Sequence, residues 1–158
     1  MTSKIYSIED LSETCAQLRK NGKTIVSTNG CFDILHRGHV AYLQEARKLG
    51  DFLVIGLNSD KSVKSIKDPS RPLNSESDRA FILSALECVD AVCIFNESTP
   101  IQFLQSIKSH IHVKGGDYKP ENLPESSAIA QWGAKVVIIP FVKGYSTTDL
   151  IKRSQTVK

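Results

Sequence analysis

The chain has 158 residues, a length that encloses one ordinary hydrophobic core, so a single domain is expected. Its 41% apolar and 23% charged residues are close to globular averages and exclude a disordered or fibrous chain. Twenty Lys plus Arg against seventeen Asp plus Glu leave a net charge of +3, and the one basic cluster, Lys61, Lys64, Lys67 and Arg71, lacks interleaved aromatics, so no nucleic-acid partner is expected.

No apolar run approaches the roughly 18 residues of a membrane helix, so no membrane partner is expected either. Residues 1–11 lack the basic stretch and apolar core of a secretory signal. Cys15, Cys31, Cys88 and Cys93 form no Cys-x-x-Cys pair, which argues against a zinc ribbon and for reduced thiols in a cytoplasmic protein.

In chain order, residues 8–20 read as a helix, followed by a β-branched strand at 24–28. A helix over 40–49 places Leu43, Ala46 and Leu49 in one apolar register. A second strand is expected at 52–57, then one long polar loop over 58–75 containing Pro69, Pro72 and the basic cluster. Helix 77–88 repeats the apolar register with Ile82, Leu83, Ala85 and Leu86. Strands at 91–95, 112–114 and 135–140 alternate with helices at 100–109, 124–132 and 148–154. This alternation predicts an α/β fold, a Rossmann-like, doubly wound, five-stranded parallel sheet. Residues 1–22 read as an N-terminal helical extension and 23–158 as the catalytic core.

Ligands in such folds lie beyond the carboxyl ends of the strands. Three segments converge there. After the first strand comes Thr28-Asn29-Gly30-Cys31-Phe32-Asp33-Ile34-Leu35-His36-Arg37-Gly38-His39, leading into a helix whose amides and dipole suit a phosphate. His36 and His39, three residues apart, share a helix side, and Gly38 keeps the space between them open. No third Cys or carboxylate at ligand spacing turns the pair into a metal site. The fourth strand ends in Lys114-Gly115-Gly116-Asp117-Tyr118, and the fifth is followed by Gly144-Tyr145-Ser146-Thr147-Thr148-Asp149. Their glycines, hydroxyls, lysine and histidines form a donor set suited to a triphosphate.

These residues resemble the cytidylyltransferase-like nucleotidyltransferases, with a His-x-Gly-His turn after the first strand and a Ser-Thr-Thr turn before a late helix. Thr28-Asn29-Gly30-Cys31-Phe32-Asp33, Asn58-Ser59-Asp60, Ser70-Arg71-Pro72 and Lys114-Gly115-Gly116-Asp117-Tyr118 look like the heptose 1-phosphate adenylyltransferase branch, over 23–151. Glycerol 3-phosphate cytidylyltransferases usually carry an Arg two or three residues before the late Gly, where this chain has Phe141, Val142 and Lys143.

The resemblance implies transfer of AMP from ATP to a sugar 1-phosphate, D-glycero-D-manno-heptose 1-phosphate above all. The products are ADP-heptose, for lipopolysaccharide or another glycan, and pyrophosphate. Glycerol 3-phosphate cytidylyl transfer, FMN adenylyl transfer and a nucleotide-sensing module are the alternatives. It implies in-line attack without a covalent intermediate, with His36, His39 and Lys67 as catalytic groups. Thr28, Asn29, Gly30, Cys31, Phe32, Asp33, Lys114, Gly116, Asp117, Ser146, Thr147 and Thr148, with both histidines, would contact the nucleotide. Asp33, Asn58, Lys64, Lys67, Arg71 and Arg79 would contact the acceptor. Mg²⁺ would arrive on the ATP phosphates without a metal site of the protein's own. A homodimer and a separate sugar kinase in the same pathway are the expected partners.

Overall fold

The computed structural model describes residues 3–157, so Met1, Thr2 and Lys158, which fall within the segments read above as signal-free start and catalytic core, lie outside it. Five parallel strands, β1 (Ile25–Gly30), β2 (Phe52–Asn58), β3 (Ala91–Phe95), β4 (Ile111–Gly115) and β5 (Lys135–Ile139), form one sheet in the order β3-β2-β1-β4-β5. Around them lie α1 (Ile8–Lys20), α2 (Arg37–Arg47), α3 (Asp60–Ile66), α4 (Glu76–Ser84), α5 (Ile101–Ile107), α6 (Ser126–Ala130) and α7 (Thr147–Gln155).

Strands β2 and β3 read as near-continuous apolar runs because both faces are covered. Val26, Leu53, Ile55 and Leu57 pack with Leu43 and Ala46 of α2 and Ala80 and Leu83 of α4. Ile25, Val54, Ala91 and Cys93 point the other way, onto Leu11 and Cys15 of α1 and Phe103, Leu104 and Ile107 of α5. Each Val, Leu, Ile or Phe among them, fully withdrawn from water, contributes about 1.5–3 kcal/mol before entropy is counted. Leu11 and Cys15 are fully buried, so the N-terminal helix α1 packs into this core.

Helix starts follow capping chemistry. Ser7, Ser59, Ser75 and Ser146 each accept a hydrogen bond from an amide in the first turn of α1, α3, α4 and α7. Strand β1 is the topological switch point. It pairs with β2 along its whole length, Ile25 through Gly30, but with β4 only at Val26 and Ser27. Past Ser27 the two strands part, opening a crevice where open α/β sheets bind ligands.

The expected long loop over 58–75 is corrected by the structure. Its first half is α3, and the irregular part begins only at Lys67. Helix α6 is also shorter than the expected 124–132.

Candidate active site

The crevice between β1 and β4 widens into a cleft of about 700 Å³. Its walls are the β1–α2 turn, the end of α3, the β4 terminus with Tyr118, and residues 141–149 leading into α7. The backbone turns sharply at Phe32, whose φ of 44° lies in the left-handed region that a bulky side chain rarely enters. The Phe32 ring is nonetheless buried and meets the His39 ring edge-on at 5.2 Å, so packing holds the strained turn.

His36 and His39 stack with ring centroids 3.8 Å apart. A Cβ at Gly38 would lie 3.0 Å from both the His36 ring and Tyr145 Cβ, so any larger residue here would press on the histidine pair. His36 is the N-cap of α2. Its Nδ1 accepts from the Gly38 and His39 amides at 3.1 and 3.4 Å. A nitrogen that accepts carries no proton, so neutral His36 holds its proton on Nε2. Burial lowers the His36 pKa. Burial, then the His36 and Lys67 charges, lowers that of His39 to about 4, against the opposing Ile34 carbonyl. Near neutrality both rings are uncharged donors that an incoming polyanion would draw toward protonation. The first-turn amides expected to hold phosphate are thus already engaged by the His36 ring.

The structure brings Asn29, Gly30, Cys31, Phe32, Asp33, His36, His39, Asn58, Lys67, Lys114, Ser146, Thr147 and Thr148 to this one cleft. Lys67, at the end of α3, is exposed and close enough to lower the His39 pKa. Burial pushes the Cys31 thiol pKa up, which suits a packing residue. The Asn58 amide donates to Ser62 Oγ.

Other expected residues stand elsewhere. Thr28 is fully buried, its Oγ1 2.7 Å from Tyr42 Oη, which donates to the Val113 carbonyl. Lys64, Arg71, Arg79, Gly116 and Asp117 do not line the cleft. Arg71 is committed to Asp33, its Nε 2.6 Å from Oδ2. The same carboxylate accepts from the Leu73 and Asn74 amides at 2.8 and 3.0 Å. Burial raises the Asp33 pKa, but the Asn74, Leu73 and Arg71 donors outweigh it and hold the group below the usual carboxylate range. Asp33 therefore clamps the 71–74 segment against the site turn.

Arg79, expected to reach the acceptor, is 1% exposed. Its guanidinium donates to the carbonyls of Cys31, Asn58 and Asn74 and pairs with Asp60 at 2.7 Å. It ties the ends of β1 and β2 to α4 beneath the cleft floor. Gly116, at φ 113°, passes beneath the Phe141 ring, where a Cβ would lie 2.6 Å from an edge carbon.

Several wall residues escaped sequence reasoning: Tyr42, Ile66, Phe141, Val142 and, with no role assigned, Tyr145. Tyr42 had a readable signal, lying three residues beyond His39 on the same helix side. Tyr145 lines the cleft, its ring 5.7 Å from the Arg37 guanidinium and 6.4 Å from the His36 ring. Among the described residues no group of three or more His, Cys, Asp or Glu could hold a metal ion.

With this geometry in place, comparison with known proteins decides the family. The family model described as cytidylyltransferase-like matches residues 27–153. The chain belongs to this family. It is 50% identical over 151 residues to the bifunctional protein HldE of Trichlorobacter lovleyi and 51% identical over 151 residues to that of Syntrophotalea carbinolica. Each alignment covers 96% of this chain and 31% of the relative, so the chain spans about a third of the length of these curated relatives. Among solved structures, the lipopolysaccharide core biosynthesis protein of Thermoplasma volcanium aligns with a TM-score of 0.63 at 31% identity, covering 79% of this chain and all of that one. Pantothenate synthetase of Thermus thermophilus shares the fold, with a TM-score of 0.65 at 16% identity, covering 96% of this chain and 70% of that one.

Proposed function

We propose that this member of the cytidylyltransferase-like family transfers the adenylyl group of ATP to a sugar 1-phosphate, with D-glycero-D-manno-heptose 1-phosphate as acceptor. The observation that carries the reading is the stacked His36–His39 pair, set in one cleft with Lys67 on one wall and the Ser146-Thr147-Thr148 turn on another. The likeness to the heptose 1-phosphate branch and to the lipopolysaccharide core biosynthesis protein supports the acceptor.

In this mechanism an acceptor phosphate oxygen attacks the α-phosphorus in line. The bond to the bridging oxygen of the β-phosphate breaks, and pyrophosphate leaves with that electron pair. The attacking phosphate is already ionised, so the protein supplies position and charge stabilisation and needs no general base. His36 Nε2–H and the His39 ring face the triphosphate as donors, and Lys67 brings a mobile cation to the acceptor side. The cleft's donors are suited to phosphate oxygens, so Mg²⁺ would enter on the ATP, where it neutralises charge. The reading also takes the chain to be cytoplasmic and homodimeric, and it calls for a sugar kinase to supply the acceptor.

The test is kcat/KM for ATP and CTP against a panel of phosphorylated acceptors. ATP with heptose 1-phosphate should lead by powers of ten over glycerol 3-phosphate, whose shorter chain leaves sugar-binding groups unpaired. Preference for CTP with glycerol 3-phosphate, or for FMN, would overturn the acceptor but keep the chemistry. Nucleotide binding without any product would favour a sensing module. His39→Ala should reduce turnover by about a hundredfold or more with the fold intact.

A further inference from the structure

A line of polar groups runs from the cleft wall into the interior, and its inner members, Glu125, His112, Ser27 and Ser109, lie outside every motif read from the sequence. Glu125, just before α6, is 2% exposed, and its Oε1 lies 3.0 Å from Lys114 Nζ and 3.5 Å from His112 Nε2. His112 is fully buried, with Nδ1 2.9 Å from Ser27 Oγ, itself 2.6 Å from Ser109 Oγ. At the other end, Lys114 Nζ donates to Asn29 Oδ1 at 2.9 Å. Asn29 and Lys114 stand on β1 and β4, the two strands that part to form the crevice, and both line the cleft.

The charges in this line balance. Burial lowers the His112 pKa, and although burial alone would raise that of Glu125, the nearby His112 ring and the Lys114 ammonium bring it to about 2. Neither Glu125 Oε1 nor His112 Nε2 makes an aligned hydrogen bond, so the contact with Lys114 is an ion pair. One carboxylate thus faces one ammonium. A lysine is only a donor, so the Asn29 amide must turn its oxygen toward Lys114 and its NH₂ group away from it. Lys114 is tethered on both sides and is no free cation for the triphosphate.

We propose that Glu125 is a positioning residue for the nucleotide: by neutralising and anchoring Lys114, it fixes the Asn29 amide with its NH₂ donors toward the ligand. This inference rests on the nucleotidyl-transfer reading above. Without the carboxylate, Lys114 is left with an uncompensated charge in a half-buried place and moves toward solvent, and the amide becomes free to flip.

The experiment compares wild type, Glu125→Gln, Lys114→Met and the double variant. Binding of a non-hydrolysable ATP analogue is measured by calorimetry, steady-state kinetics are measured for both substrates, and the Asn29 side-chain amide is followed by NMR in the free proteins. Glu125→Gln should weaken analogue binding and raise the ATP KM about tenfold, leaving the acceptor KM unchanged. Lys114→Met should do the same, the double variant should be no worse than Lys114→Met alone, and the Asn29 resonances should shift in all three. Should Glu125→Gln not fold, Glu125→Asp, which keeps the charge but withdraws it from Lys114, carries the same expectation. A merely structural role would lower kcat with both KM values unchanged, and that result overturns the proposal. So does an unmoved Asn29 resonance, whether or not the protein binds nucleotide. Wild type that binds no analogue would instead sink the nucleotidyl-transfer reading.

Discussion

The two site histidines show how one residue type serves two ends. His36 uses a ring nitrogen as a helix cap, and His39 is pressed between that ring, Phe32 and the helix start. Both pKa values fall below the usual histidine value of about 6.5, as does that of buried His112. The unfolded chain therefore binds more protons than the folded one as pH drops below about 6.5, and stability falls with it. For His39 the window runs from about 6.5 down to about 4. After discounting for its partial exposure, the loss is on the order of 1–2 kcal/mol. Urea unfolding at pH 7 and pH 5 should show a smaller acid loss in His39→Gln than in wild type. Triphosphate binding reverses the sign at this site, because the anion favours the protonated ring. Calorimetry near pH 6 in buffers of different ionisation enthalpy should register proton uptake on binding, and less of it in His39→Gln.

Among the elements, α3 and α4 hold the wall that the proposed reading gives to the acceptor, by means that burial, more than charge, explains. Arg79 accounts for most of it, joining Cys31, Asn58, Asp60 and Asn74 from a site closed to water. Arg79→Met leaves three carbonyls and a carboxylate without their donor and should cost about 3 kcal/mol or more in urea unfolding. Lys67 starts the irregular stretch, so Lys67→Ala should raise the acceptor KM with stability hardly changed. Hydrogen exchange should divide the segment, with α3 amides and that of Lys67, which donates to the Val63 carbonyl, protected, and those of Asp68 and Ser70 exchanging fast until acceptor binds. The strands were legible because two covered faces demand apolar, largely β-branched runs such as Ile25-Val26 and Val92-Cys93-Ile94. Helix α3 was not, since it has seven residues and buries only Ser62 and Val63, which leaves no apolar period to read. The glycine- and histidine-marked turns of the site were legible for the same local reason. Glu125 was hidden because its pairing with Lys114 exists only after β4 and α6 have packed.

Across the whole molecule, firmness is unevenly shared. The centre of the sheet is sealed, with Val26, Leu53, Ile55 and Leu57 fully buried, whereas β5 is only half-covered and α7 buries no residue completely. The Ser146-Thr147-Thr148 turn therefore sits on a thinly anchored element. Amides of α7 should exchange quickly in the free protein and gain protection with an ATP analogue, while those of β1 and β2 stay unchanged. The parting of β1 from β4 after Ser27 has a wider consequence. The crevice divides the walls by chain segment: Lys67 and the 71–74 clamp belong to the stretch between β2 and β3, and Lys114, Glu125 and the α7 turn all lie beyond β3. On the proposed mechanism, acceptor choice and nucleotide handling are then separable inheritances. A graft of residues 59–76 from a relative with a different acceptor should transplant the acceptor preference and keep the host's affinity for ATP, making the fold a socket into which evolution can fit new substrates one wall at a time.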